Sequence, residues 1–126
     1  MTVVLDASAL LAYLRQEPGA EVVDGVLADA RMASVNWAEV VRKSISAGVD
    51  VEGMRDDLQA LGVRVEPFLP EDGEQAGRLW SLTRQQGLSL GDRACLSLGL
   101  RLGLAVLTCD RAWAQLPLEL EVRILR

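Results

Sequence analysis

The segment 88–113, LSLGDRACLSLGLRLGLAVLTCDRAW, constrains the fold of this chain more than any other. Its first half is apolar around more than one helix face, which predicts a helix buried on most sides. Gly103 stands where a helix C-cap glycine belongs, and residues 104–107 form the continuous apolar run of a strand covered on both faces. Because the helix must run back antiparallel to this strand, Asp92 and Asp110 are predicted to lie at one edge of a sheet.

The rest of the chain alternates short apolar segments with amphipathic ones. Strands are predicted at 3–6, 32–35, 63–68, 104–107 and 121–125, and helices at 7–15, 20–31, 36–48, 51–61, 70–87 and 88–102. This alternation predicts an α/β fold with a mostly parallel central sheet, right-handed crossovers and helices on both faces. The length of 126 residues fits a single domain over 1–126.

The composition indicates a globular protein, with 50% hydrophobic and 25% charged residues. The two cysteines, Cys95 and Cys109, lack the spacing of a metal site and are expected to be buried free thiols in a reducing compartment. No apolar run approaches the roughly 18 residues that a membrane span requires. Met1 leads directly into TVVLD, without the basic region of a secretory signal. We therefore expect a cytoplasmic protein with no membrane partner.

The formal charge of −5 argues at first against a nucleic-acid partner. However, all but one of the 13 basic residues are arginine, the side chain best suited to bidentate phosphate contact. Cations bound to a cluster of acids would also cancel much of the negative charge. Net charge therefore does not decide the class of partner.

Four acids are predicted to converge on the carboxyl edge of the sheet: Asp6, Glu39, Asp92 and Asp110. Each has an ordinary explanation, because Asp6 and Asp110 are good helix N-caps and acids are favoured in the first turn of a helix. Glu39 would form a capping box with Asn36, and Asp92 would form one with Ser89. Taken together, however, four like charges would repel one another in an empty pocket, and a divalent cation would relieve that repulsion.

The candidate ligands define the kind of metal. All four are carboxylates, the hydroxyls of Ser8 and Thr108 lie nearby in the predicted fold, and the chain has no histidine. Such hard oxygen ligands favour Mg²⁺ or Mn²⁺ over Zn²⁺ or Cu²⁺. The lack of histidine also excludes nucleophilic triads with a histidine base, and no Walker-type phosphate loop is present.

Four segments of the chain resemble the acidic motifs of PIN-domain ribonucleases: VLDASALLAYL, SVNWAEVVRK, LSLGDRACLSLG and LAVLTCDRAW. The resemblance covers nearly the whole chain in the right order, and it is specific as a set rather than for any single motif. The small single-domain format is most similar to VapC-type toxins of bacterial toxin–antitoxin pairs.

The resemblance implies a three-layer α/β/α sandwich that acts as a Mg²⁺- or Mn²⁺-dependent endoribonuclease. It also implies a homodimer that is inhibited by a cognate VapB-like antitoxin. Asp6 and Asp92 would be the main metal ligands, Asp110 would complete the cluster, and Glu39 would bind through water or orient the attacking water. The positions of Ser8 and Thr108 match small hydroxyl residues of the family, which would support a carboxylate.

Several further residues have two interpretations at this stage. Phosphate contact and ordinary surface ion pairing are both open for Arg42, Lys43, Arg93 and Arg111. Trp37 is a candidate for stacking on a base or for packing, and Trp80 and Trp113 are candidates for the core or an interface. The apolar helical segments 9–14 and 40–45 suit either a dimer or antitoxin surface or simple core packing.

Two other classes of function compete with the nuclease. A phosphoryl-transfer domain also gathers acids at strand ends. However, a haloacid-dehalogenase-like phosphatase would need an acid at the position of Ser8. A receiver domain would need a lysine after a late strand, and the only lysine of the chain is Lys43. A non-catalytic module that binds a partner through its apolar helices is the third class, and the intact set of acids argues against it.

Overall fold

The computed structural model describes residues 1–126 and contains five strands and seven α-helices. The strands are β1 (Val4–Leu5), β2 (Arg31–Ala33), β3 (Arg64–Glu66), β4 (Val106–Thr108) and β5 (Val122–Ile124). The helices are α1 (Ala7–Leu14), α2 (Ala20–Val26), α3 (Ser34–Ser46), α4 (Met54–Ala60), α5 (Pro70–Arg78), α6 (Trp80–Thr83) and α7 (Leu90–Leu102). Short 3₁₀ turns follow α6 and β4, at Arg84–Gln86 and Arg111–Gln115.

The strands form one sheet in the order β3-β2-β1-β4-β5, and every pairing is parallel. The predicted α/β sandwich is therefore confirmed, with a wholly parallel sheet. β1 lies at the centre beside β4, and Leu5 is in register with Leu107. This register places Asp6 next to Thr108 at the carboxyl edge, where open parallel sheets carry their sites.

Alternating residues of the central strands point into two separate cores. Val3, Leu5 and Leu107 pack with buried residues of α1, α2, α3 and α4. Val4 and Val106 point the other way and pack with α7 and Trp113. The period of two in a strand thus fills both faces of the sheet and gives three layers.

Several predicted boundaries were wrong. α3 begins at Ser34 rather than at Asn36, because the chain turns from β2 straight into the helix. The helix predicted over 70–87 is divided into α5, α6 and a 3₁₀ turn, so Trp80 and Leu82 are about half exposed instead of facing inward. The predicted 51–61 helix is shorter, and it starts only after Gly53, which has a positive φ of 74°.

The predicted C-cap was confirmed, because Gly103 ends α7 in the left-handed conformation, with a φ of 66°. The prediction of two buried free thiols was correct for Cys95, which is fully buried, whereas Cys109 is free but only partly buried. None of the helices combines the length and apolar character needed to cross a lipid bilayer.

Candidate active site

Asp6 is a buried carboxylate at the centre of the sheet edge. It follows β1 and caps α1, and its side chain is only 5% exposed. Its Oδ1 accepts hydrogen bonds from the Ala9 backbone N–H at 2.8 Å and from Ser8 Oγ at 2.7 Å. Its Oδ2 accepts one from Thr108 Oγ1 at 2.6 Å. Since a carboxylate has about four lone-pair positions, one acceptor position on Oδ2 stays available for a ligand.

The two hydroxyls that hold Asp6 are themselves oriented by the backbone after β4. Ser8 Oγ accepts a hydrogen bond from the Cys109 N–H at 2.9 Å, and Thr108 Oγ1 accepts one from the Asp110 N–H at 3.0 Å. Each hydroxyl has a single proton, which it donates to the carboxylate. The ends of β1 and β4 are thereby joined into one hydrogen-bonded unit.

Burial raises the pKa of Asp6 to about 6, although its three hydrogen bonds oppose the shift and the negative charge of Asp92 adds to it. Burial disfavours the charged form of a carboxylate because water no longer solvates it. At neutral pH the group is mostly ionised, in a place that disfavours its charge. Such a group gains from a cation, and perturbed carboxylates of this kind are typical of functional sites.

Asp92 lies in the first turn of α7 and forms the predicted capping box with Ser89. Its Oδ2 accepts from the Ser89 N–H at 2.9 Å, and Ser89 Oγ accepts from the Asp92 N–H at 3.1 Å. The pKa of Asp92 is raised, mainly by burial and further by the negative charges of Asp110 and Glu39. The capping role of Asp92 is therefore confirmed, and its negative charge is repelled by the charges of the three other acids.

Asp110 and Glu39 are held differently. Asp110 Oδ1 accepts from the Ala112 N–H at 3.0 Å, the predicted N-cap contact. Glu39 lies in the second turn of α3 and is 3.5 Å from Lys43 Nζ. The predicted capping box between Glu39 and Asn36 was wrong, because α3 starts two residues before Asn36 and the Asn36 side chain points into the protein.

The donor chemistry of the edge fits a hard divalent cation, but the acids do not yet enclose one. No three Asp, Glu, Cys or His side chains are arranged so that they could hold a metal ion. The oxygens are nevertheless all hard ligands, and Asp6 has an open acceptor position. Burial, and to a smaller extent the neighbouring negative charges, raise the pKa values of Asp6 and Asp92. The assignment of these residues as metal ligands stays a prediction, as do the supporting roles of Ser8 and Thr108.

None of the four acids lines a surface cleft of the protein. The clefts are lined by other residues, chiefly of α2, α3, α4, α5 and α7.

The candidate phosphate-binding residues differ in whether their side chains already have a hydrogen-bond or ion-pair partner. Arg93 donates from Nη1 to the Ala76 carbonyl at 2.8 Å, and Arg111 donates from Nε to the Arg126 carbonyl at 3.0 Å. Lys43 faces Glu39, whereas Arg42 has neither a hydrogen bond nor an ion pair. Of these four residues, Arg42 is therefore the one without a partner in the structure.

The three tryptophans are now placed. Trp113 is 1% exposed and belongs to the core, as one of the two interpretations had it. Trp37 is partly buried against the core on the α1 side. Trp80 is half exposed, and the Arg84 guanidinium lies 5.2 Å from its ring centre. Packing therefore accounts for Trp37 and Trp113.

Sequence reasoning missed the position of Asn36. Its side chain is 1% exposed, and its Nδ2 donates to the Gly91 carbonyl at 2.9 Å, which joins α3 to the first turn of α7. The signal was present in the sequence, because Asn36, Val40 and Ser44 recur every four residues and form the buried stripe of α3.

Comparison with known proteins defines the family. The family model described as "PIN domain" matches residues 3–118, which is most of the chain. The chain belongs to the PIN-domain family. No match was found among curated protein sequences.

Solved structures show that the same fold recurs at low sequence identity. A toxin–antitoxin complex from Klebsiella pneumoniae aligns with a TM-score of 0.77 at 15% identity and covers 98% of both chains. VapBC-1 from nontypeable Haemophilus influenzae aligns with a TM-score of 0.72 at 19% identity, over 99% of this PIN domain and 98% of that chain. VapBC-5 from Mycobacterium tuberculosis aligns with a TM-score of 0.61 at 20% identity, over 99% and 98%.

Proposed function

We propose that this PIN domain is a metal-dependent endoribonuclease that acts as the toxin of a toxin–antitoxin pair. The observation that carries the proposal is Asp6, a buried carboxylate that two hydroxyls orient and that shares its edge with three further acids. PIN-domain toxins are nucleases, and this edge supplies the oxygen donors that such chemistry requires.

We assign Mg²⁺ or Mn²⁺ as the cofactor, with Asp6 and Asp92 as its main ligands and Asp110 as a further ligand. Such an ion, when bound, lowers the pKa of the attacking water and offsets charge on the phosphate oxygens. Glu39 would orient the water, and Ser8 and Thr108 would keep the Asp6 carboxylate fixed. A preorganised ligand set of this kind avoids reorganisation during the reaction.

We propose RNA as the substrate. The support is the family of the chain, and a bound cation would offset the repulsion between the acids and the phosphates. Arg42, one turn beyond Glu39 on α3, would contact a phosphate, with Lys43, Arg93 and Arg111 as weaker candidates because they already have partners. Phosphate contacts position a nucleic acid without reading its sequence.

We also propose a VapB-like antitoxin partner, a homodimer and a cytoplasmic location. The support is the likeness in fold to chains of VapBC complexes and of another toxin–antitoxin complex. Exposed apolar side chains on the helices are available to such interfaces, for example Ile45 of α3 at 58% exposure.

The test is cleavage of total cellular RNA by the purified protein, free of any partner. We compare Mn²⁺ or Mg²⁺, EDTA, and the variant Asp92→Asn with metal. The asparagine keeps an oxygen for the Ser89 N–H, so the capping contact and the fold should survive. We expect discrete cuts only in wild-type protein with metal. Full activity in Asp92→Asn, or cleavage in EDTA, contradicts the proposal.

The same samples separate the competing classes. Covalent labelling of Asp6 by a small phosphate donor would favour phosphoryl transfer. Tight binding of a protein partner by a chain that binds no metal and cuts no RNA would favour a non-catalytic module.

A further inference from the structure

The side-chain amide of Asn36 is buried, and its NH₂ group forms a hydrogen bond whereas its oxygen does not. Its side chain is 1% exposed, and Nδ2 donates to the Gly91 carbonyl, while Oδ1 is buried without any partner. The one hydrogen bond of this buried side chain therefore runs to α7.

The orientation of the amide follows from its neighbour. The Gly91 carbonyl can only accept, so the NH₂ group must face it and the oxygen must face away. The Gly91 carbonyl also lies within α7, where the helix supplies its own donor. The Asn36 contact is therefore an additional link between α3 and α7 that neither helix needs in order to form.

The link ends beside two of the acids at the sheet edge. On α3, Glu39 lies one turn after Asn36; on α7, Asp92 directly follows Gly91. The charges of Glu39 and Asp92 repel each other across this gap. The helices α3 and α7 pack against each other, and the Asn36 hydrogen bond joins them at the end where these two charges face each other.

We propose that Asn36 is a positioning residue, which fixes Glu39 relative to Asp92 so that Glu39 can hold water on the divalent cation that Asp92 binds. This inference rests on the proposed function. Polar groups that orient metal ligands typically account for about 10- to 100-fold of metal affinity. Asn36 would act through the Gly91 backbone and would not itself touch the metal or the RNA.

The experiment is calorimetric titration of Mn²⁺ into the purified protein without RNA. Asn36→Leu keeps the volume of the side chain but removes the bridge, and we expect Mn²⁺ to bind about tenfold more weakly. Asn36→Ala repeats the test if leucine prevents folding. Ser97→Ala is the matched control, because Ser97 is also buried and donates to a backbone carbonyl, but within α7. The control should bind Mn²⁺ like wild type.

A double-variant cycle distinguishes positioning from general loosening. If Asn36 acts by holding Glu39 near Asp92, then Asn36→Leu should cost no further affinity in a protein that already carries Glu39→Gln. The inference is overturned if Asn36→Leu binds Mn²⁺ as tightly as wild type, or if the losses of the two single variants add in the double variant. In either case the proposed function stands as long as the wild-type protein binds Mn²⁺. A wild-type protein that binds no Mn²⁺ overturns the proposed function itself.

Discussion

Thr108 donates a hydrogen bond of 2.6 Å to Asp6 Oδ2, across 102 positions of the chain. The contact exists because β1 and β4 are neighbours in register, with Leu5 opposite Leu107. The orientation of the central carboxylate is thus set by the sheet and not by the local sequence around Asp6. Four predictions follow the physical consequences of this and related contacts.

Replacing Thr108 by valine keeps the shape of the side chain but removes the donor. The hydrogen bond lowers the pKa of Asp6, so its loss should raise that pKa further above the usual range. We expect the pKa of Asp6 in the metal-free protein to rise above its wild-type value of about 6. A carboxyl-carbon NMR titration of the metal-free protein measures this shift.

Thr83→Val serves as the control for Thr108→Val. Thr83 is fully buried and donates to the Leu79 carbonyl at 2.8 Å, away from the sheet edge. Thr83→Val should lower the free energy of unfolding without changing the pKa of Asp6. Equal shifts in both variants would mean that Thr108 acts only through stability.

Asp6→Asn should stabilise the metal-free protein at neutral pH. The pKa of Asp6 is raised from 3.8 to about 6, so its favourable contribution is complete below 3.8 and is lost as pH rises through 6. The stability of the variant relative to wild type should therefore increase by about 2 kcal/mol between pH 4 and pH 7. Urea unfolding at several pH values measures the difference, and a constant difference would show that Asp6 is not perturbed by burial.

Gly99→Ala should destabilise the protein although alanine favours helices. A Cβ at Gly99 would lie 2.6 Å from Val106 Cγ2, and Val106 is fully buried in the sheet. Overpacking of this kind costs about 1–3 kcal/mol. Gly77→Ala on α5 is the control, since nothing lies within 4 Å of its added Cβ, and it should gain about 0.5–1 kcal/mol. Thermal or urea unfolding measures both changes in stability. A gain in both variants would contradict the close packing of Gly99 against Val106.

Asp72→Ala should weaken the fold but leave the sheet edge unchanged. Asp72 is 3% exposed, accepts from Arg101 Nε at 2.8 Å and caps α5 through the Leu69 N–H at 2.8 Å. Arg101 is exposed to solvent, so the loss comes from the cap and from a partly buried ion pair. We expect a loss of about 1–2 kcal/mol in unfolding free energy with an unchanged Mn²⁺ affinity. An altered affinity at unchanged stability would place Asp72 in the metal site instead.

The sequence was sufficient to predict the order of the elements and the edge at which the acids gather. Continuous apolar strands and a C-cap glycine are local signals, and Asp6 and Asp110 directly follow such strands. The Ser89–Asp92 capping box could also be predicted from the sequence, because its two residues are only three positions apart. The strand order and the neighbours of β1 depend on long-range pairing, which no local pattern encodes.

Asn36 and the 70–87 segment show where local reading fails. The Asn36–Glu39 spacing imitates a capping box, but the chain leaves β2 so abruptly that the helix begins at Ser34. Trp80 was predicted on the inner face of one continuous helix. The helix is interrupted after Arg78, and Trp80 is half exposed. In both cases tertiary geometry overrode a plausible local pattern.

The most direct test of the account is a crystal of the partner-free protein soaked in Mn²⁺, with anomalous scattering recorded at the manganese edge. The account predicts a peak between the carboxylates of Asp6 and Asp92, with Asp110 nearby. The peak should vanish in Asp92→Asn crystals of the same form. Wild-type crystals with no peak at saturating Mn²⁺, or with a peak only away from this edge, would contradict it.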